Sequence, residues 1–229
     1  MIKYYIRTTG ERPLNESYNQ IEYELLIDKE HKPVESFIKQ LEIISDCDAV
    51  LLEDDVFLCK DFKNRIESII KKYPNKVINF FTKPWEYFKT GIHDEFSWNQ
   101  CTYYPKGLSK KIAKEMNKVY SVMLKNKDKL EKRYVTSTGY IQYGLLESKG
   151  LERLGLTHIR YRPCLVQHLD FNSLIGNDND SDRTTLYFID WLERLNIDYN
   201  NISEKDMKKL ILERKYFFSV RKKEESLND

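Results

Sequence analysis

Across the first 82 residues, stretches that are apolar at nearly every position alternate with stretches apolar at every third or fourth, and this alternation constrains the fold most. "IKYYIRTT" is β-branched and aromatic and breaks at Gly10, which predicts a strand and then a loop. "YELLID" predicts a second strand. Val34, Phe37, Ile38, Leu41 and Ile44 recur on one helical face, so a helix is expected from Pro33 to Ile44. "AVLL" suits a strand covered on both faces, and the amphipathic "DFKNRIESIIKKY" and apolar "KVINFFT" repeat the unit. Strands joined by crossover helices predict an α/β fold: a Rossmann-like, mostly parallel sheet flanked by helices.

The period is lost after Thr82. "KPWEYFKTGIHDEFSWNQ" mixes aromatics and charges and is expected to be a long functional loop. "CTYYP" predicts a further strand, and "KGLSKKIAKEMNKVYSVMLKN" a helix with a basic outer face. "SDRTTLYFIDWLERLN" and "SEKDMKKLILERKYFFSVRKK" each begin at a capping residue, which predicts two C-terminal helices. With no repeat and no low-complexity linker, residues 1–180 are expected to form the main domain and residues 181–229 a helical C-terminal extension packed on it.

At 41% hydrophobic and 13% aromatic, the chain has the composition of a globular protein, and its net charge of +2 singles out no polyanionic partner. Cys47, Cys59, Cys101 and Cys164 are dispersed, which predicts reduced thiols and no zinc site. No run approaches the ~18 apolar residues of a membrane span, nor does the start read as a signal peptide. A cytoplasmic location is therefore expected.

Two segments carry candidate chemistry. In "DAVLLEDDVFLCKDF" the carboxylates Glu53, Asp54 and Asp55 follow an apolar strand directly. Ligands of open α/β sheets bind at the carboxyl ends of strands, where this triplet lies. Alternation would send Glu53 and Asp55 to one side. Three adjacent like charges need either full solvation or a cation, so the residues alone leave two readings: a solvated turn, or a site in which Asp55 and a diphosphate hold Mn²⁺ or Mg²⁺. In "RPCLVQHLDFNSLIGN" an apolar strand runs into His168, followed by Asp170, small polar residues and Gly176. This histidine is either a structural strand-end residue or a second ligand to the same ion.

Together, "VLLEDDVFLCKDF" and "PCLVQHLDFNSLIGN" resemble glycosyltransferases of the GT-A type, in particular lipopolysaccharide-type enzymes of family 25 and short phage-encoded relatives. The resemblance covers roughly residues 1–180. It implies a nucleotide-sugar-binding catalytic domain with Asp55 as principal metal ligand and His168 as the second. Glu53 stands in for the first aspartate of the acidic motif, and Asp54 faces the sugar or ribose. Arg7, Thr8, Thr9 and Arg12 become nucleotide and diphosphate contacts, and Asp28 a contact to base or ribose. The implied cofactor is Mn²⁺ (or Mg²⁺), and the implied donor is a nucleotide-sugar, by default a UDP-sugar.

Such chemistry needs the leaving diphosphate neutralised and, in an inverting enzyme, a carboxylate base near the acceptor hydroxyl. The late segment "YVTSTGYIQYGLLESKG" has no carboxylate before Glu147, so the candidates for that base are Asp94, Glu95 and Asp170. The stereochemical outcome is left unassigned. For the acceptor, basic residues on "KGLSKKIAKEMNK" and "ERKYFFSVRKK" make DNA a candidate, for instance a hydroxymethylated base in phage DNA within a host cytoplasm; the second stretch equally suits an anionic membrane surface, or a terminal helix whose aromatics pack on the core while its charges stay solvated. Trp85, Phe96 and Trp98 would then stack on a base or on a sugar ring. The family resemblance suggests a cell-surface oligosaccharide instead. A metal-dependent nucleotidyl- or phosphotransferase would use similar ligands, and a nucleic-acid-binding protein needs no site at all.

Overall fold

The computed structural model describes residues 1–82, 90–93, 99–130, 135, 141–169 and 184–225. One sheet contains β1 (Ile2–Thr8), β2 (Tyr23–Ile27), β3 (Asp48–Glu53), β5 (Val77–Asn79), β6 (Gly91–His93), β7 (Cys101–Tyr104) and β8 (His158–Arg160). A second, two-stranded sheet pairs β4 (Val56–Leu58) with β9 (Val166–His168). The helices are α1 (Pro33–Ile43), α2 (Phe62–Lys72), α3 (Leu108–Lys125), α4 (Tyr143–Arg153), α5 (Ile189–Arg194) and α6 (Glu204–Glu225).

The seven strands lie in the order β2-β1-β3-β7-β5-β8-β6. β1 is parallel to β2 and β3, and β5 to β8, whereas β7 runs antiparallel between β3 and β5, and β6 antiparallel to β8. Five strands thus share one direction, compatible with the expected mostly parallel, Rossmann-like α/β arrangement, while the antiparallel β6 and β7 make the sheet mixed. The reversal of β7 follows from where it starts. Cys101 pairs with Leu52 near the carboxyl end of β3 and Thr102 with Asn79 at the end of β5, so the chain re-enters at the edge it had just reached and must run back.

Each core strand feeds two cores. Tyr4, Ile6, Val50, Leu52, Ile78 and Tyr103 pack with Phe62, Ile66 and Ile70 of α2. Their neighbours Tyr5, Ala49, Leu51, Val77 and Tyr104 pack with Phe37, Ile112, Met116 and Leu146 of α1, α3 and α4. This period-2 sorting is why "AVLL" is apolar at every position: both faces are covered.

The C-terminal residues belong to the first core, where Phe188, Trp191, Leu192, Ile197 and Leu210 are buried with Tyr4 and Ile6. The first expected C-terminal helix is much shorter than the sequence suggests. Only Ile189–Arg194 is helical, while residues 184–188 are buried in a bent, non-helical run that ends in a bridge from Phe188 to Cys164. Thr184, Thr185, Leu186, Tyr187 and Phe188 are all buried, which a single helix face could not achieve. The second is helical over Glu204–Glu225, with a reciprocal cap: the Asp206 N–H donates to Ser203 Oγ (3.2 Å) and the Ser203 N–H to Asp206 Oδ2 (3.2 Å). All four cysteines are free thiols. Among the described residues no helix is long and apolar enough to cross a membrane.

Candidate active site

At the carboxyl ends of β1 and β3 the three carboxylates part company. Alternation holds as far as Asp54. Glu53 lies on the α1/α4 side, where its Oε1 accepts from Tyr143 Oη (2.6 Å) and pairs with Arg7 Nη1 (3.3 Å). Asp54 lies on the other side, where its Oδ2 accepts from Thr8 Oγ1 at 2.6 Å. Asp55 then departs from the expected pattern. β3 ends at Glu53, and Asp54 and Asp55 form the turn into β4, so Asp55 does not share a side with Glu53. Instead Asp55 Oδ2 lies 3.2 Å from His168 Nε2 and 3.4 Å from Arg12 Nη1.

Secondary structure sets this meeting. The antiparallel pairing of β4 with β9 brings Val56 opposite His168, and the Leu169 N–H donates to the Asp55 carbonyl at 2.8 Å. Two residues 113 apart in sequence are thereby held by backbone bonds. His168 is buried at 1% exposure, so its imidazole orientation is fixed by packing.

The segment between β1 and β2, which the sequence reading passed over as a loop, braces the turn. The Tyr18 hydroxyl donates to the Glu53 carbonyl, Asn15 Nδ2 to the Val56 carbonyl (2.9 Å), and the Leu58 N–H to Ser17 Oγ (2.9 Å). A local signal was present: Asn15 caps the 3-10 turn Glu16–Gln20, its side chain accepting from the Ser17 N–H. Thr8 Oγ1 also accepts from the Gly10 N–H (2.9 Å), tying the Gly10 loop to Asp54.

Burial pushes the Asp54 carboxyl up to about 6, with the Thr8 hydrogen bond opposing and the Asp55 charge adding to the rise. A second buried acid, Glu147 on α4, lies in the helix layer at 0% exposure. It accepts from the Tyr104 hydroxyl (2.7 Å) and from the Asn99 amide, and burial pushes it up to about 8. Glu147 is therefore sealed away from any acceptor.

The other expected contacts divide. Arg12 joins Asp55, whereas Arg7 is committed elsewhere: its guanidinium lies between the rings of Phe37 (4.6 Å) and Tyr143 (4.7 Å) while pairing with Glu53. Thr9 Oγ1 is buried without a hydrogen-bond partner among the described residues. The Asp28 N–H donates to the Thr8 carbonyl (2.8 Å), and its Oδ1 accepts from the Lys32 N–H (3.3 Å) ahead of α1. Asp94, Glu95 and Asp170 lie outside the described residues, as do Trp85, Phe96 and Trp98.

Among the described residues no group of three or more His, Cys, Asp or Glu side chains is placed to hold a metal. The pair Asp55 and His168 nevertheless suits a divalent ion that takes its remaining ligands from substrate. Two ligands about 2.1 Å from one octahedral ion stand about 3 Å apart, and Asp55 Oδ2 and His168 Nε2 are separated by 3.2 Å. A carboxylate with an imidazole fits Mn²⁺ better than the oxygen-preferring Mg²⁺.

No family model matches the chain, and no curated protein matches it. Among solved structures, the crystal structure of A197 from STIV is similar with a TM-score of 0.41 and 13% sequence identity, covering 75% of this chain and 86% of that one. A likeness of that size carries no functional argument.

Proposed function

We propose that the chain is a metal-dependent glycosyltransferase of the GT-A type, moving a sugar from a nucleotide-sugar, by default a UDP-sugar, to an acceptor hydroxyl. The observation that carries this reading is the meeting of Asp55 with His168 at the carboxyl end of β3, beside Arg12 and the acid Asp54. A solvated turn, the other reading of the acidic triplet, needs none of these: Asp54 and Asp55 are each only 8% exposed. The resemblance of the two motifs to GT-A enzymes adds to it.

In this reading Asp55 and His168 hold Mn²⁺ or Mg²⁺, and the ion when bound supplies Lewis-acid neutralisation of the leaving diphosphate. Arg12 adds a positive charge beside the same oxygen of Asp55 and suits the diphosphate. Thr9 offers an unused hydroxyl on the loop after β1, and Asp54 faces sugar or ribose. Arg7 keeps Glu53 in place from the opposite side of the sheet and is a positioning residue. The protein's main work is to hold donor and acceptor together and keep water out.

The test is a donor-hydrolysis panel: UDP-, GDP- and TDP-sugars with Mn²⁺, then with EDTA. Slow, EDTA-sensitive release of a free nucleoside diphosphate from one donor class is expected. Release of nucleoside monophosphate or orthophosphate from UDP-sugar would replace the reading with nucleotidyl or phosphoryl transfer, and no release from any donor would contradict it.

A further inference from the structure

The outer face of α3 is a strongly one-sided charged surface. Between Lys106 and Lys129 there are eight lysines against two acids, Glu115 and Asp128, a net charge of +6. The whole chain carries only +2, so everything else together is at −4. All eight lysines are exposed. At about 100° per residue, Lys110, Lys111, Lys114, Lys118 and Lys125 fall within about 100° of arc, opposite the buried Ile112, Ala113 and Met116. The row from Lys110 to Lys125 is about 22 Å long at about 1.5 Å per residue.

Lys118 pairs with Glu115 at 2.5 Å, but among the described residues Lys110, Lys111, Lys114 and Lys125 have no ion pair. Like charges four apart on a helix repel, which costs a few tenths of a kcal/mol per pair, and Glu115 offsets this only at Lys118. A row of mostly unneutralised cations is matched by a polymer with a line of phosphates.

We propose that this face of α3 binds the phosphate backbone of a nucleic acid. A bilayer is disfavoured, because membrane-lying helices place large apolar side chains among their cations, whereas on α3 the exposed large apolar side chains, Val122 and Leu124, lie only near its C-terminal end, beyond Lys110, Lys111 and Lys114. α6 is the contrasting surface: Ile211, Leu212 and Tyr216 are exposed between its lysines, and Lys208 and Lys209 are paired with Glu204 and Asp206.

The direction of α3 links the face to the site. Its N-terminal approach is tied to the far edge of the sheet, where the Gly107 N–H donates to the Ser45 carbonyl and the Lys106 N–H to Asp48. Farther along, the Tyr120 hydroxyl donates to Glu35 in the first turn of α1, at the edge that carries Asp55. A strand lying on the row is thus led toward the rim of the candidate site. Its role as sugar acceptor rests on the transferase reading; its binding does not.

The experiment is fluorescence anisotropy with labelled 20-nucleotide single-stranded and duplex DNA at about 50 and 200 mM salt, where phosphate contacts dominate. The variant carries Lys110→Glu, Lys111→Glu and Lys114→Glu. These positions break no ion pair, and acids in a first turn suit the helix dipole, so the fold is retained. Affinity at low salt is expected to fall at least tenfold and the salt slope by about 2–3, near 0.7–0.9 per lost phosphate contact. A control of equal charge change on α6, Lys205→Glu with Lys208→Glu and Lys215→Glu, is expected to stay within about twofold. Equal losses in both variants, no DNA binding by the parent at low salt, or preference for anionic vesicles over DNA would each overturn the proposal. Donor-induced stabilisation, measured on the same variants, is expected to be unchanged, so loss of the transferase reading and loss of this one are separately visible.

Discussion

Asp54 and Asp55 are adjacent in the chain but answer to different partners, and each makes its own prediction. Asp54 is raised to about 6, so the fold favours its protonated form. The stability this acid contributes is full below the ordinary carboxylate value near 4 and is lost as pH rises through about 6. Asp54→Asn keeps an oxygen to accept from Thr8 and cannot ionise. Thermal melts should therefore show Asp54→Asn more stable than the parent at pH 8, with the gap closing as pH falls toward 4; a gap independent of pH would contradict this assignment. Glu147→Ala is expected to leave the Tyr104 hydroxyl and the Asn99 amide without their acceptor in a sealed core. That costs about 2–4 kcal/mol, readable by denaturant unfolding, with the donor response per folded molecule intact. If Glu147 acted on substrate instead, the donor response would change at constant stability.

At the scale of elements, what was legible was what had a long period. Helices α1, α2 and α3 and strands β1 and β3 were readable because each buries a repeating face or a continuous apolar run, and β2 from its apolar composition although only Leu26 is buried there. β4, β6, β8 and β9 have three residues apiece, too few to establish a period, although the apolar run into His168 did mark β9. α4 was missed because Gly144 and Gly150 interrupt its helical pattern; Gly150 suits the close approach of α3, since a Cβ there would lie 3.0 Å from the Met116 side chain and 3.2 Å from the Ile112 carbonyl. In the site, the residue types of Asp55 and His168 were legible, their partnership was one of two readings the residues left open, and a family resemblance favoured it. The side on which Asp55 falls was not legible, because alternation ends where a strand becomes a turn. The capping box of α6 is a local rule that can be tested locally: Ser203→Ala should cost about 1 kcal/mol in unfolding free energy, and no loss would show that α6 is held by packing alone. That packing is substantial, with Phe217 against Phe57 and Trp191.

In the molecule as a whole, one sheet separates two tasks. One face, with α2, α5, α6 and the β4/β9 pair, carries Asp54, Asp55 and His168; the other, with α1, α3 and α4, holds Glu53 through Arg7 and Tyr143 and presents the lysine row. Both converge on the edge where β1 and β3 end. The central claim is that Asp55 and His168 bind a donor diphosphate through a divalent ion, and a ligand that binds only the folded chain raises its melting temperature. The direct measurement is thermal unfolding of the parent and of Asp55→Asn with UDP, with and without Mn²⁺. The account predicts that UDP raises the parent's melting temperature only when Mn²⁺ is present and that Asp55→Asn shows no such rise. A rise of equal size in both proteins, or one in the parent that is indifferent to Mn²⁺, would contradict it.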